Sequence, residues 1–567
     1  MRAGVWRISA GLVLCNLFGV APAVAGVLVE SPIGPMEGSK SLTPSPTPVF
    51  PEKSVLPPLE ERDPDQLSHQ KKVLIHQIEL EGNTVLKGDD LEELLSFCRG
   101  REMSIDELIA LKDKVSLWYI QHGYVNSGAI LPDQEIIDGV IRMRVIEGRL
   151  GEIQVRDNQH LKADFIKRHL EGEAGDLLFI PKLEERFQLL KQAEMIENIH
   201  SEMRPGPTPG EAVLDVAVEE RSPYRFWVGA NNQGAQSTGG NRLVTGAAHN
   251  SLFGWGDVLR GEYAQTSGAQ DYAFSYSFPF GKQDTTLTLS TSQSTSSVVV
   301  APFNNLDISN RQQIHEITLR HPFIRTIGEE VAASLSLQRK ETKTFLLGEP
   351  FAFTPGSDDG HTKVHTLGLG GEWSMRDAEQ ALTLMTTLHR GLDIGDSTVR
   401  PVGEPDGRFY AWLTQAQLIR RVPWQESQLT VHAALRLTSD SMLASEKFAL
   451  GGLNTVRGYR EGLLSRDMGW VTNAEWRIPT PLRLSLSDNK TDGLLSGLVF
   501  GDYGQNWDKG VRTTENKYLS SIGLGVLWEI NRNSSAAIYL ANPLQDVAVT
   551  EKDLPDRGIH FRFSFQP

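Results

Sequence analysis

The sequence predicts a transmembrane antiparallel β-barrel of about 16 strands, preceded by two periplasmic α+β modules. Three observations carry this prediction. The chain opens with a secretory leader, one element order occurs twice between residues 73 and 222, and from residue 224 onward short alternating segments carry rings at their ends. The chain has 567 residues, enough for several folded units. Beyond the first 25 residues no run of 18 apolar residues occurs, so helices do not cross a bilayer. Asp and Glu number 71 against 56 Lys and Arg, a net charge of -15, which argues against nucleic acid as a partner.

Arg2 and Arg7, an apolar stretch over residues 8–24 and Ala23-Val24-Ala25 have the three parts of a signal peptide, residues 1–25. Cys15 leaves with that segment, and Cys98 then stands alone in a Leu-rich stretch, where a buried structural thiol is favoured over a reactive one. Residues 26–72 read as an extended Pro-rich linker, with nine prolines between positions 32 and 64.

The first module spans 73–148. Residues 73–81 alternate as a strand, Gly82-Asn83 turns, and 90–97 form a short helix. Ser104 and Glu107 form a capping box that opens a second helix through Leu108, Leu111, Val115, Leu117 and Trp118. Strands follow at 127–131 and 140–147. The second module, 149–222, repeats the order: a strand at 152–155, helices at 161–170 and 181–196, and strands at 199–203 and 212–218. The repeat is one of order more than of residue identity, and two unrelated α+β stretches remain an open alternative.

Residues 223–567 make the barrel. Tyr272, Phe274, Tyr276 and Phe278 alternate with Ala273, Ser275 and Ser277, and Ile559, Phe561, Phe563 and Phe565 alternate with His560, Arg562 and Ser564. A soluble sandwich also alternates; rings at strand ends and an asymmetry of connections favour the membrane. Tight turns fall near Gly254, Gly281, Arg376, Gln425 and Asn533, and long loops over 298–310, 344–361, 391–408 and 440–468.

Catalytic signatures are missing: no His-Glu-x-x-His, no Gly-x-Ser-x-Gly, no phosphate-binding loop and no Cys-x-x-Cys. Gly368, Gly370 and Gly371 fall in a strand, and residues 488–493 suit a solvated turn better than a calcium loop, because Lys490 stands at a ligand position. The sequence therefore predicts no enzyme, no cofactor and no metal site. The sharpest constellation lies in the long loop 438–468, where Val456-Arg457-Gly458-Tyr459 is flanked by Gly451 and Gly452. An arginine folded into a barrel needs an acid, and Asp502 in Phe500-Gly501-Asp502-Tyr503-Gly504 is the best candidate for a bidentate grip. Spacing alone fits equally well an exposed loop arginine and an unrelated strand-end acid.

Val456-Arg457-Gly458-Tyr459 followed by Phe500, Asp502 and Gly504, after two strand-helix-helix-strand-strand modules, resembles the outer-membrane transporters of two-partner secretion, the hemolysin secretion/activation family. The first module is similar to their POTRA domain, and Val145-Ile146-Glu147-Gly148-Arg149-Leu150 to the junction between such domains. The resemblance implies an outer-membrane translocator in a Gram-negative bacterium. It would export a large unfolded partner of adhesin or hemolysin type without ATP, after the modules capture the partner's N-terminal secretion domain. It also implies that Arg457 and Asp502 fix the long loop in the pore. The barrel assembly machinery would read Phe561, Phe563 and Phe565, displaced from the terminus by Gln566 and Pro567. An N-terminal plug helix is not expected, because Pro64 interrupts residues 59–72. An insertase-like barrel assembly factor is the alternative; such factors usually carry more modules.

Overall fold

The computed structural model describes residues 72–172, 176–401, 403–485, 492–510, 518–547 and 553–567. The leader, nearly all of the linker and most of 488–493 lie outside the described residues. Two compact units divide the chain, one holding both α+β modules and the other the barrel.

The first module contains β1 (Val73–Ile75), β2 (Gln77–Glu81), α1 (Asp89–Leu95), β3 (Arg101–Met103), α2 (Ile105–Gln121), β4 (Gly128–Ile130) and β5 (Val140–Ile146). Its main sheet has the order β2-β5-β4, with β2 parallel and β4 antiparallel to the centre. The predicted strand over 73–81 is broken at His76: β1 leaves the sheet to pair with β3, an element the sequence did not suggest. The Ser104 and Glu107 capping box forms, and Leu108, Leu111, Val115 and Tyr119 turn one face of α2 to the core. Cys98 is fully buried in that core.

The second module contains β6 (Arg149–Arg156), α3 (Ala163–Leu170), α4 (Ile180–Lys191), β7 (Ile196–Pro205) and β8 (Glu211–Glu220), in the order β6-β8-β7 with β6 and β8 parallel. The helix expected over 181–196 stops at Lys191, because Ile196 begins the ladder to Glu220 and tertiary pairing overrides helical periodicity. Ala212, Leu214, Val216 and Val218 cover Phe165, Leu170, Leu183 and Phe187.

The two modules repeat at residue level where the sequence showed only an order. In the first, the Asn83 side chain bridges Leu86, and Glu147 accepts from Thr84 N at 2.5 Å, Val85 N at 3.0 Å and the Tyr119 hydroxyl at 3.0 Å. In the second, Asn158 donates to Leu161 O, and Glu220 accepts from the amides of Gln159, His160 and Leu161. In both, a carboxylate at the end of the sheet satisfies the free amides of the loop that leads into the helices. Gly148 follows Glu147 because a side chain there would strike Asn126, whose amide donates to Gly210 O.

The barrel is closed. Its sixteen wall strands are β9 (Tyr224–Asn231), β10 (Arg242–Asn250), β11 (Val258–Gln265), β12 (Ala269–Phe280), β13 (Thr285–Ser297), β14 (Ser309–Arg325), β15 (Glu329–Leu346), β17 (His361–Arg376), β18 (Gln380–Leu392), β19 (Tyr410–Val422), β20 (Ser427–Thr438), β23 (Met468–Arg483), β24 (Leu494–Trp507), β25 (Tyr518–Asn531), β26 (Ser534–Pro543) and β27 (Ile559–Phe565). Short β16 (Glu349–Pro350) lies in a loop; β21 (Phe448–Leu450) and β22 (Leu464–Arg466) pair with each other between β20 and β23. Turns lie at one end and longer loops at the other, with two exceptions: 266–268 is tight at the loop end, and 484–493 is long at the turn end. The seam is short. β27 pairs with β9 over four residues, against eight between β9 and β10.

Candidate functional site: a loop locked inside the barrel

Loop 439–467 folds back into the lumen as the β21-β22 hairpin. At its base Lys340 on β15 meets Glu446 at 2.9 Å, and Lys447 meets Asp508 at 3.1 Å. Beyond the hairpin the chain reverses through Gly451 and Gly452, both at positive φ; a Cβ on Gly452 would collide with Glu461, whose carboxylate accepts from Leu453 N.

At the tip, Arg457 and Asp502 come together. Nε and the backbone N of Arg457 donate to Asp502 Oδ2 at 2.8 and 3.0 Å, and Nη2 donates to Oδ1 at 2.8 Å. Nη1 donates to Glu475 Oε2 at 2.5 Å, and Asn473 donates to Asp502 Oδ1 at 2.9 Å. The side chains of Arg457 and Asp502 are 6% and 0% exposed, so each charge depends on the other. Phe500 completes the grip: the guanidinium carbon lies 3.6 Å from its ring centroid, with Tyr539 at 5.2 Å on the next strand but one.

Strand alternation explains the Phe500, Asp502, Gly504 spacing. All three face the lumen from β24; the first stacks, the second pairs, and the third leaves room, since a Cβ on Gly504 would lie 2.8 Å from Leu450 and 3.2 Å from Val456. The other motif divides its work similarly. Val456 is fully buried, Gly458 N donates to His560 Nε2 at 2.8 Å, and the Tyr459 hydroxyl donates to Ser520 O at 3.0 Å. Arg460 then binds both oxygens of Asp556, at 3.1 and 2.6 Å.

Sequence reasoning missed Glu475, Asn473, His560, Tyr539 and Asp556. The signal available was strand parity: Asn473 and Glu475 stand opposite Asp502 and Phe500 in the ladder and share their face. Parity also held for His560, which alternates with Ile559, Phe561 and Phe563 on β27, but Asp556 in the loop before that strand had no such signal. Phe561, Phe563 and Phe565 lie on β27, with Phe563 and Phe565 exposed.

Residues 210–527 match the family described as haemolysin secretion/activation protein ShlB/FhaC/HecB, and residues 73–148 match the ShlB-type POTRA domain. The first match covers more than half of the chain. The chain belongs to the haemolysin secretion/activation family. Among its relatives, the heme/hemopexin transporter protein HuxB of Haemophilus influenzae is 24% identical over 85% of each chain, and the outer membrane transporter CdiB of Dickeya dadantii is 24% identical over 71% of this chain and 72% of its own. In fold, the chain is similar to CdiB from Escherichia coli, with TM-score 0.65, 20% identity, and 90% and 93% of the two chains covered. It is also similar to BamA from Haemophilus ducreyi lacking POTRA domains 1-3, with TM-score 0.53 and 15% identity over 87% and 100% of the chains. This protein is accordingly an outer-membrane transporter of two-partner secretion that works with a secreted partner protein, and its family members are transporters.

Proposed function

We propose that the barrel exports one large unfolded partner of adhesin or hemolysin type, captured through its N-terminal secretion domain by the modules at 73–148 and 149–222, and released outside without ATP. The observation that carries this reading is a lumen with inward polar side chains such as Ser294, Asn310, Gln312 and Thr342, crossed by a loop held at its base by Lys340 and Glu446 and at its tip by Arg457 and Asp502. A chain can enter such a lumen only if the loop keeps a defined position or leaves it as a unit. Arg457, with Asp502, Glu475 and Phe500, is the fixed point in this proposal; Val456, Gly458, Tyr459 and Gly504 shape the contact around it. Phe561, Phe563 and Phe565 serve barrel assembly, and the outer-membrane lipid meets the exposed rings.

The test compares culture supernatants and outer-membrane profiles from cells with the intact gene, without it, and with Arg457→Ala. Loss of one large secreted protein with other barrels unchanged is the expected result. A joint fall of many barrels would instead identify an assembly factor.

A further inference from the structure

The outer surface of the barrel changes character on β14, β15 and β17, which at 17, 18 and 16 residues are among its longest strands. On neighbouring parts of the wall the loop end carries outward rings: Tyr263 and Tyr272 on β11 and β12, and Tyr410 and Trp412 on β19. Such rings mark the membrane interface. Between them, the loop-end halves of β14 and β17 carry no outward Phe, Tyr or Trp, and β15 carries only Phe345 at its tip.

Basic residues stand there instead, in a grid fixed by register. Arg311 opposes Lys343, His315 opposes Arg339, and Arg339 opposes His365, with Lys363 one step further along β17. Arg390 on β18 extends the grid beside Leu367. Two acids lie among these cations. Glu341 meets Lys343 at 2.9 Å, and Asp396 meets Lys363 at 2.6 Å and Arg339 at 3.1 Å. Five cations less two carboxylates leave an excess of three with the histidines neutral, on a chain whose net charge is -15. Directly toward the membrane, Ile317, Leu337 and Leu367 form one outward row and Leu319, Leu335 and Leu369 the next. Strand spacing of about 4.8 Å and about 6.8 Å between same-face residues make the part of the grid on β14, β15 and β17 about 10 by 14 Å.

We propose that this face binds the phosphorylated glycolipid of the outer leaflet, lipopolysaccharide. Arg339, Lys343 and Lys363 take its phosphates and its acyl chains lie on the two aliphatic rows. Glu341 and Asp396 hold the long basic side chains in place and set the spacing between them. A dissolved anion would need only the charges; a phosphate continuous with several acyl chains uses both halves of the surface. The proposal concerns the wall, not the lumen, so its outcome is independent of the export reading.

The test measures the thermal unfolding of the purified full chain in neutral detergent with added lipopolysaccharide, dephosphorylated lipopolysaccharide, phosphatidylglycerol or inorganic phosphate, alongside the glycolipid that co-purifies. Intact lipopolysaccharide is expected to raise the transition more than the other three. The Arg339→Gln/Lys343→Gln/Lys363→Gln variant should lose that rise and at least threefold of the co-purified glycolipid, while Arg339→Lys/Lys343→Arg keeps both. Equal glycolipid retention in the neutral variant, or an equal response to dephosphorylated lipid, phosphatidylglycerol or phosphate, would overturn the proposal. If the neutral variant does not assemble, the comparison of ligands on the unaltered protein decides alone.

Discussion

A lysine at position 457 would put one ammonium where a planar fork now meets Asp502 and Glu475. Charge alone is therefore not enough. Arg457→Lys is expected to lower export about tenfold or more, close to Arg457→Ala, with the barrel still shifting on heating in gels. Near-normal export by the lysine variant, read in culture supernatants, would show that any cation suffices. Glu147 gives a second prediction at this scale. Burial raises its pKa, but hydrogen bonds from the Thr84 hydroxyl, the amides of Thr84 and Val85, and Tyr119 outweigh burial and hold it below the usual carboxylate range. A depressed carboxylate stabilises the fold above its unfolded pKa of about 4.3 and loses that contribution as pH falls through the folded value. Hydrogen exchange at residues 84–86 of the full chain should thus accelerate relative to the intrinsic rate below about pH 4. Glu147→Gln should show the faster exchange already at neutral pH and little further change with acid. An unchanged pH profile in that variant would remove Glu147 from the account.

At the scale of elements, the seam sets a limit. Four paired residues join β27 to β9, and the fully packed Asn232 side chain extends the ladder by donating to Ile559 O at 2.8 Å and accepting from Phe561 N at 3.0 Å. Its amide stands in for one more peptide unit, with a donor NH2 and an acceptor carbonyl on separate atoms. Asn232→Asp keeps the size and loses the donor; removing one partner of a buried hydrogen bond costs about 1–3 kcal/mol. The heat-induced gel shift of the barrel should move to lower temperature in Asn232→Asp and in Asn232→Ala. An unmoved transition in both would mean that the four backbone pairs close the seam unaided.

For the whole molecule, the proposed function puts recognition and passage in the two separate units of one chain. Deleting residues 72–219 is expected to leave a barrel that assembles and conducts ions in planar bilayers while exporting nothing. Continued export would contradict capture of the partner by the modules. The sequence by itself determined the order of the main elements, though not β3 or the β21-β22 pair, together with the even count of alternating segments and the two motifs, since these follow from local periodicity, turn chemistry and the parity of a strand. It also placed Cys98 in a core, as its Leu-rich surroundings indicated. It divided the modules less well: periodicity ran a helix on to residue 196 and a strand across His76, because the partner strands that cut them are distant in sequence. Only the tertiary structure decided which acids hold Arg457. Glu475 and Asp502 stand on adjacent strands, but the choice between an exposed arginine and a buried one depends on whether the loop turns inward, and that is fixed by Gly504, Phe500 and His560 together. The ladder from β24 to β27 carries the last strand to the loop tip, and a contact between residues 102 positions apart has no local signal to announce it.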